Sequence, residues 1–226
     1  MKKLFLITVA ITILFTLPNS SYAFKAKDFI PLVTGSIRTY ETKREIVKDG
    51  ATTNFAFYDR MYTQEKKKIN GEKVFPFERK CSETEDGEQE LISTYYLLIE
   101  KDGIAVFGRA VEGDKEKPQP TIYERPRYIL KDPLEVGKSW GNMYGSSKEI
   151  RKVIAVNEAI MTPYSVFENC VGIESNILND NGMKVRGIAW YCPNIGRVKS
   201  TAIVYQDVEI FWKEKTENIL KKYSAK

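Results

Sequence analysis

Runs of β-forming residues, each ended by a tight-turn dipeptide, constrain the fold of this chain more than any other feature. The runs are rich in Tyr, Val, Ile, Thr and Phe, and Asn, Asp and Gly interrupt them at intervals of roughly ten to fifteen residues. Asp49-Gly50, Asn70-Gly71 and Asp102-Gly103 are three of these interruptions. Such dipeptides favour the positive φ angles of tight hairpin turns. The pattern therefore predicts consecutive antiparallel hairpins.

The fold class follows from this series, because no long segment with the helical period interrupts it. We predict a mostly β protein in which the antiparallel hairpin series forms a strongly curved sheet, an open barrel or a sandwich, with little helix. The tail, residues 215–226, fits either a continued strand or a short helix.

The first residues have the layout of a secretory signal peptide. Lys2 and Lys3 precede an apolar stretch over residues 4–17, and Ser21-Tyr22-Ala23 offers a small–x–Ala cleavage site. The apolar stretch is shorter than the roughly 20 residues that a membrane-spanning helix needs. We therefore expect residues 1–23 to be a bacterial Sec-type signal peptide. Residues 24–226 would then form a single β-rich domain without a transmembrane segment, and the protein would be periplasmic or secreted.

Two similar stretches raise the possibility of two halves. The polar loop 113–120 separates PLVTGSIRTY, residues 31–40, from PLEVGKSWGNMY, residues 133–144. Each stretch has Pro-Leu, two residues, Gly, and an aromatic residue soon after. The match fits a duplicated β-unit, and it also fits two similar strand entries.

One hairpin can be aligned residue by residue. If residues 180–182, Asp-Asn-Gly, form a three-residue loop, Val171 faces Tyr191 and Ile173 faces Ala189. One side of the hairpin is then almost wholly apolar, as a core-facing surface should be.

The same register brings two cysteines together on the other side of the hairpin. Cys170 faces Cys192, at a Cα separation of about 4.5–5.5 Å that a disulfide tolerates. Pro193 then ends the strand pairing, because it has no N–H to donate. We predict a Cys170–Cys192 disulfide, in keeping with an oxidising compartment.

The third cysteine, Cys81, is then unpaired. Its acidic neighbours in ERKCSETED disfavour the reactive thiolate. Two alternatives stay open: Cys81 pairs between chains, or the disulfide uses Cys81 and leaves one of the other two cysteines free.

The two segments that contain the paired cysteines resemble an uncharacterised family of secreted or periplasmic bacterial β-rich proteins. That family has a Phe-x-Asn-Cys/Val-Val run followed by a Trp-Tyr-x-Pro-x-x-Gly-x-Val-Lys run. The matching residues here are Phe167, Asn169, Cys170, Val171, Trp190, Tyr191, Pro193, Gly196, Val198 and Lys199. Residues 133–140 resemble the family's strand-entry motif, and residues 31–40 do so with Arg38 in place of the usual aromatic residue. The resemblance implies an antiparallel, barrel-like envelope domain, and it implies no activity.

The residues give little support to catalysis. The chain has no histidine, which removes the usual general base, the Ser-His and Cys-His arrangements and the commonest zinc ligand. We expect no catalytic residue, no metal site and no cofactor. Paired carboxylates could still hydrolyse glycosides, and Glu168 and Glu174 share a strand face. The interpretation as ordinary surface charge is favoured.

Aromatic side chains offer a different kind of site, on the concave side of the curved sheet. They would hold a lipid, a glycan or a peptide there, although packing of the core is the favoured interpretation. Trp140, Tyr144, Trp190 and Tyr191 are the candidate binding aromatics. The wider set adds Tyr95, Tyr96, Phe107, Tyr123, Tyr128, Tyr205, Phe211 and Trp212.

These observations predict an exported, non-catalytic cell-envelope protein that binds an unknown envelope ligand or protein partner. A lipid or lipoprotein carrier or envelope assembly factor is one alternative, and a carboxylate-dependent hydrolase is another. Export makes nucleic acid an unsuitable partner.

Overall fold

A computed structural model describes residues 24–112, 120–179, 182–208 and 210–225. The expected signal peptide, residues 1–23, lies outside the described residues. So do residues 113–119 of the polar loop and the first two residues of the 180–182 turn.

The described chain is almost entirely strand, as predicted. The only helix among the described residues is the single turn α1, Ala26–Phe29. The strands are β1 (Ile37–Lys48), β2 (Ala51–Thr63), β3 (Lys67–Ile69), β4 (Glu72–Ser82), β5 (Glu90–Glu100), β6 (Gly103–Val111), β7 (Thr121–Lys131), β8 (Ser139–Tyr144), β9 (Ser147–Met161), β10 (Val166–Leu178), β11 (Met183–Cys192), β12 (Gly196–Val208) and β13 (Ile210–Ser224).

One antiparallel sheet contains these strands, in the order β7-β6-β5-β4-β2-β1-β13-β12-β11-β10-β9-β8, and β3 pairs with β4 beside it. Two meanders of six strands are thus joined through the long β1–β13 pairing. The two ends of the sheet, β7 and β8, come back together, so the sheet is nearly closed as a barrel. Of the three predicted forms, the fold is the open barrel.

Turn chemistry sets the register of two hairpins as the sequence predicted. At the third dipeptide the prediction of two positive φ angles is wrong, because Lys101 and Asp102 form the turn and Gly103 already pairs with Glu100. Asp49 and Gly50 have φ angles of 51° and 79°, and Asn70 and Gly71 have φ angles of 48° and 89°. Both pairs suit two-residue hairpin turns, which need two consecutive positive φ angles. The tail, which the sequence left undecided, is the end of strand β13 and pairs with β1.

The segment before β1 closes one end of the barrel. Ala26 and Phe29 of α1 are completely buried, and Ile30 is almost so. The Phe24 ring packs edge-on against Phe29 at 5.4 Å between centroids. The Ala26 N–H donates to the Asp132 carboxylate at 2.6 Å. This buried apolar segment is the floor of the barrel.

The opposite end carries the β1–β2 and β12–β13 hairpins, and there the inward-facing row of side chains reaches solvent. Arg44 and Phe55 are directly opposed on the inner face. The Arg44 side chain is 41% exposed and Phe55 is 49% exposed. The barrel is therefore closed at its floor and accessible at this end, its mouth. Within the described residues, no helix is both long and apolar enough to span a bilayer.

Candidate functional site

The predicted disulfide is present at the floor end of the barrel. Cys170 and Cys192 are bonded with a Cα–Cα distance of 4.2 Å, and both are buried. The ladder between β10 and β11 has the predicted register, with Val171 opposite Tyr191. The disulfide therefore joins the residue pair that follows the last pair of the ladder, directly before Pro193. Cys81 is a free thiol, which excludes the alternative that it takes part in the bond within the chain.

Arg38 fastens the floor to the turn that follows the disulfide. Its side chain is buried, with 2% exposure. Its Nε donates to the Ile195 carbonyl at 2.5 Å, and its Nη2 donates to the Pro31 carbonyl at 2.9 Å. A buried guanidinium needs such acceptors, because a donor that loses its hydrogen bonds to water and finds no partner destabilises the folded protein. One side chain thus ties the segment before β1 to the β11–β12 turn.

The surroundings of Arg38 are aromatic and tightly packed. The guanidinium lies 5.5 Å from the Phe77 ring centroid and 5.4 Å from that of Tyr223. A Cβ on Gly196 would lie 3.1 Å from Arg38 Nε, so glycine makes room for the arginine as well as adopting its φ of +97°. Burial lowers the pKa of Arg38, and the neighbouring charge of Arg197 lowers it further.

A cavity of about 640 Å³ occupies the barrel interior above this floor. Its size is in the range of small-molecule binding sites. Arginine, aromatic and aliphatic side chains dominate its wall. The lining residues are Ile30, Arg38, Tyr40, Arg44, Phe57, Asp59, Met61, Phe77, Arg79, Tyr95, Leu97, Val106, Tyr123, Arg127, Ile129, Arg151, Tyr191, Arg197, Ala202, Val204, Glu214, Thr216 and Asn218.

The two lining carboxylates both form ion pairs with lining arginines. Arg79 donates twice to Asp59, at 2.7 and 3.1 Å, and Arg44 donates to Glu214 at 2.7 Å. Burial alone would raise the pKa of Asp59, but the hydrogen bond and charge of Arg79 outweigh it, so the pKa is lowered. A general acid needs a raised pKa. This arrangement therefore favours charge balance over acid catalysis.

Cys81 belongs to the same cluster. Its Sγ lies 2.8 Å from Asp59 Oδ1. Burial and the Asp59 carboxylate raise the pKa of Cys81 to about 12. The sequence analysis expected the neighbouring acidic residues to disfavour the thiolate, whereas the acid beside Cys81 in the structure is Asp59 of strand β2.

Arg197 faces the interior beside Tyr40. Its guanidinium lies 5.0 Å from the Tyr40 ring centroid, and the Tyr40 hydroxyl donates to the Arg197 carbonyl at 2.8 Å. Burial raises the pKa of Tyr40, so this phenol stays neutral at physiological pH. Among the described residues, no carboxylate forms an ion pair with Arg38 or Arg197.

Two further arginines reach the cavity from the β7 and β9 side. Arg127 stacks on the Tyr123 ring at 3.4 Å, and Arg151 Nε lies 3.0 Å from the buried Glu149 carboxylate. Arg151 Nη1 also donates to the Ile129 carbonyl at 3.0 Å. The cavity wall thus carries positive charge on both meanders.

The four candidate binding aromatics do not converge on one surface. Tyr191 lines the cavity. Trp140 is a core residue whose Nε1 donates to the Tyr128 carbonyl at 3.1 Å, and Trp190 covers Gly172 on the other face of the sheet. Nothing is described of the Tyr144 side chain.

The candidate carboxylates Glu168 and Glu174 do not line the cavity. Glu174 accepts hydrogen bonds from Arg186 at 2.8 and 3.1 Å on the outer face, and Glu168 is exposed. The lining arginines are not among the site residues predicted from the sequence. The sequence does place Arg38, Tyr40 and Arg44 on one face of strand β1, and the structure shows that this face lines the cavity.

No family model and no curated protein matches the chain. Solved structures that are similar to it include a provisionally named exported protein with a YmcC-like fold from Bacteroides fragilis, at 14% identity and a TM-score of 0.40. A provisionally named lipoprotein from Parabacteroides distasonis has 12% identity and a TM-score of 0.39. Each comparison covers 87% of this chain and 98% of the other chain. Similarity at this level indicates neither a ligand nor an activity, and the family resemblance of the two cysteine segments stays a prediction.

Proposed function

We propose that this protein is an exported, non-catalytic protein of the bacterial cell envelope that binds a ligand inside its barrel. The observation that carries the proposal is the cavity of about 640 Å³, which is floored by the α1 segment and accessible at the mouth. A barrel built only for stability would fill its interior with side chains, because unfilled volume weakens packing.

Export is supported by two independent features. The Cys170–Cys192 bond is of the kind that persists in oxidising compartments. The first 23 residues have the composition of a cleavable signal peptide. We further propose that residues 24–226 form a single domain, since the two meanders share one continuous sheet through β1 and β13.

Blocking the cavity tests ligand binding directly. Ala202 is a small lining residue of β12, and Ile203 beside it points to the other face of the sheet. Native mass spectrometry of the protein, purified without denaturation from the organism that makes it, should detect a bound molecule. We expect the Ala202→Trp variant to lose that molecule and the matched Ile203→Trp variant to keep it. A wild-type protein without bound mass, or equal occupancy in the two variants, would contradict the proposal.

A further inference from the structure

The cavity wall carries more positive than negative charge. Six arginines line it against two carboxylates, and the Glu149 carboxylate behind Arg151 raises the acids to three. An excess of guanidinium charge among partly buried side chains is unfavourable unless water or a counter-charge solvates it. The same excess gives the interior a positive potential that attracts anions. Among the lining residues, arginines thus outnumber carboxylates.

The uncompensated charge is concentrated near the floor. Arg38 and Arg197 are close enough for the Arg197 charge to lower the pKa of Arg38, and neither has a carboxylate partner among the described residues. Arg38 already donates to two carbonyls that hold the floor. The Arg197 guanidinium lies over the Tyr40 ring, and the Tyr40 hydroxyl donates to the backbone carbonyl of Arg197. Its remaining N–H groups are thus available to an incoming oxygen anion.

Apart from Thr216 and Asn218, the uncharged part of the wall is aliphatic and aromatic. Leu97, Val106 and Ile129 line one side, and Ala202 and Val204 line the other. The aromatic rings of Phe57, Phe77, Tyr95 and Tyr123 also line the cavity. A simple inorganic anion would leave this surface in contact with water. A ligand with an apolar body would cover it.

We propose that the ligand is an amphiphilic organic anion, whose carboxylate or phosphate is bound by Arg197 near the floor and whose apolar body lies along the aliphatic wall towards the mouth. This inference rests on the proposed function, because it assigns a chemical class to the ligand of the same cavity. Arginine suits both kinds of head group, since its planar guanidinium can donate two parallel hydrogen bonds to either.

Calorimetric titration with matched probes tests the chemical class. Dodecanoate and dodecyl phosphate carry the anionic head and the apolar body, dodecanol lacks the charge, and inorganic phosphate lacks the body. We expect both anionic amphiphiles to bind more tightly than dodecanol and inorganic phosphate, by about tenfold or more. The tighter of the two amphiphiles then distinguishes a carboxylate ligand from a phosphate ligand.

Substitution of Arg197 tests the position of the head group. We expect Arg197→Gln to weaken dodecanoate binding by about tenfold to a hundredfold, which corresponds to a lost charge-assisted hydrogen bond. Dodecanol affinity should be unchanged in the same variant, and this also establishes that the variant is folded. Arg197→Lys should retain part of the preference for the anion. The matched control is Arg186→Gln, which removes an arginine from the outer face.

The outcomes separate this inference from the proposed function. Equal affinity for dodecanoate and dodecanol, or unchanged dodecanoate affinity in Arg197→Gln, would overturn the anionic class or its position while cavity binding stands. Inorganic phosphate binding as tightly as dodecyl phosphate would overturn the role of the apolar body. Binding that persists unchanged in Ala202→Trp would overturn the cavity as the site, and with it the proposed function.

Discussion

At the scale of single residues, the arginines of the inner wall do two different things. Arg38 has a structural role, because its guanidinium donates hydrogen bonds to the Pro31 and Ile195 carbonyls. Arg79 and Arg44 are balanced by acids. Arg197 lies beside the Tyr40 phenol and near Arg38, and within the described part of the chain it forms no ion pair with a carboxylate. Arginine thus has two roles here: Arg38 stabilises the floor, and Arg197 carries the positive charge that we propose to bind the ligand's anionic group.

Removal of Arg38 should destabilise the protein strongly. Arg38→Met keeps most of the side-chain length but leaves two carbonyls without their donor, so we expect the free energy of unfolding to fall by about 3 kcal/mol. Urea denaturation measures this. The Arg186→Gln control breaks an exposed ion pair and should change stability by about 0.5 kcal/mol or less. A difference between the two variants below about 1 kcal/mol would contradict the role given to Arg38.

Asp59 should make stability depend on pH in the acid range. Its pKa in the folded protein is below the ordinary value of about 3.9, so the ionised carboxylate stabilises the fold above that pH. This contribution is lost as pH falls through the folded pKa. We expect Asp59→Asn to be about 2 kcal/mol less stable than wild type at pH 7, and the difference to shrink below about pH 4.

Urea denaturation of both proteins across this pH range measures the effect. Glu174→Gln, which breaks an ion pair with a largely exposed arginine, is the control and should show a small difference at every pH. A stability difference for Asp59→Asn that stays constant down to about pH 2 would contradict the ion-pair account.

At the scale of elements, the β10–β11 hairpin shows what local sequence can decide. Its turn, its apolar alternation and its two cysteines all indicate one register, and the structure has that register. The inward arginines of β1 could not be assigned in the same way. Alternation separates two faces of a strand, but only the assembled barrel decides which face is inside. That assembly needs the β1–β13 pairing between distant parts of the chain and the meeting of β7 with β8.

The disulfide should contribute measurably to stability. It links residues 22 positions apart, and a loop of that size corresponds to about 3 kcal/mol in the chain-entropy account. We expect dithiothreitol to lower the free energy of unfolding of wild type by about this amount and to have no effect on a Cys170→Ala/Cys192→Ala variant. Cys81→Ala is the control and should respond as wild type does. Loss of the dithiothreitol effect in Cys81→Ala would show that the pairing is wrong.

The seam between β7 and β8 relies on side chains in place of a backbone ladder. The described parts of these strands are the ends of the sheet. Asn142 bridges them, because its Oδ1 accepts from the Tyr128 N–H at 2.8 Å and its Nδ2 donates to the Tyr128 carbonyl at 3.0 Å. The amide thus reproduces the pair of hydrogen bonds that a neighbouring strand would provide.

Loss of this amide should open the seam. In Asn142→Ala the half-buried Tyr128 backbone and the Glu149 carboxylate each lose a partner. We therefore expect the free energy of unfolding to fall by about 2 kcal/mol and hydrogen exchange at the Tyr128 amide to become faster. Asn176→Ala, on the exposed outer face, is the matched control. Unchanged exchange at Tyr128 would mean that the seam is held by other contacts.

At the scale of the whole molecule, the two meanders enter the barrel in the same way. Gly35 N–H donates to Thr63 and Gly137 N–H donates to Val153, at 2.8 and 2.9 Å. The two glycines have φ angles of 80° and 92°. These equivalent bonds show that residues 31–40 and 133–144 enter the sheet alike, which fits both a duplicated β-unit and two similar strand entries.

The hollow interior was not predictable from the chain. Inward-facing and outward-facing residues alternate along the strands of a filled barrel and of a hollow one alike. The residue pattern of a single strand therefore does not reveal whether the interior contains a cavity. Of the wider set of candidate aromatics, Tyr95, Tyr123 and Tyr191 line the cavity. Tyr96 and Phe107 pack in a separate apolar cluster with Val74.

The most direct test of the central claim is a crystal structure of the protein in complex with dodecanoate. The account predicts density for the acyl chain inside the barrel, along Val106 and Ile129, with the carboxylate within hydrogen-bond distance of Arg197. An interior filled by side chains, or an acyl chain bound only on the outer face of the sheet, would contradict it.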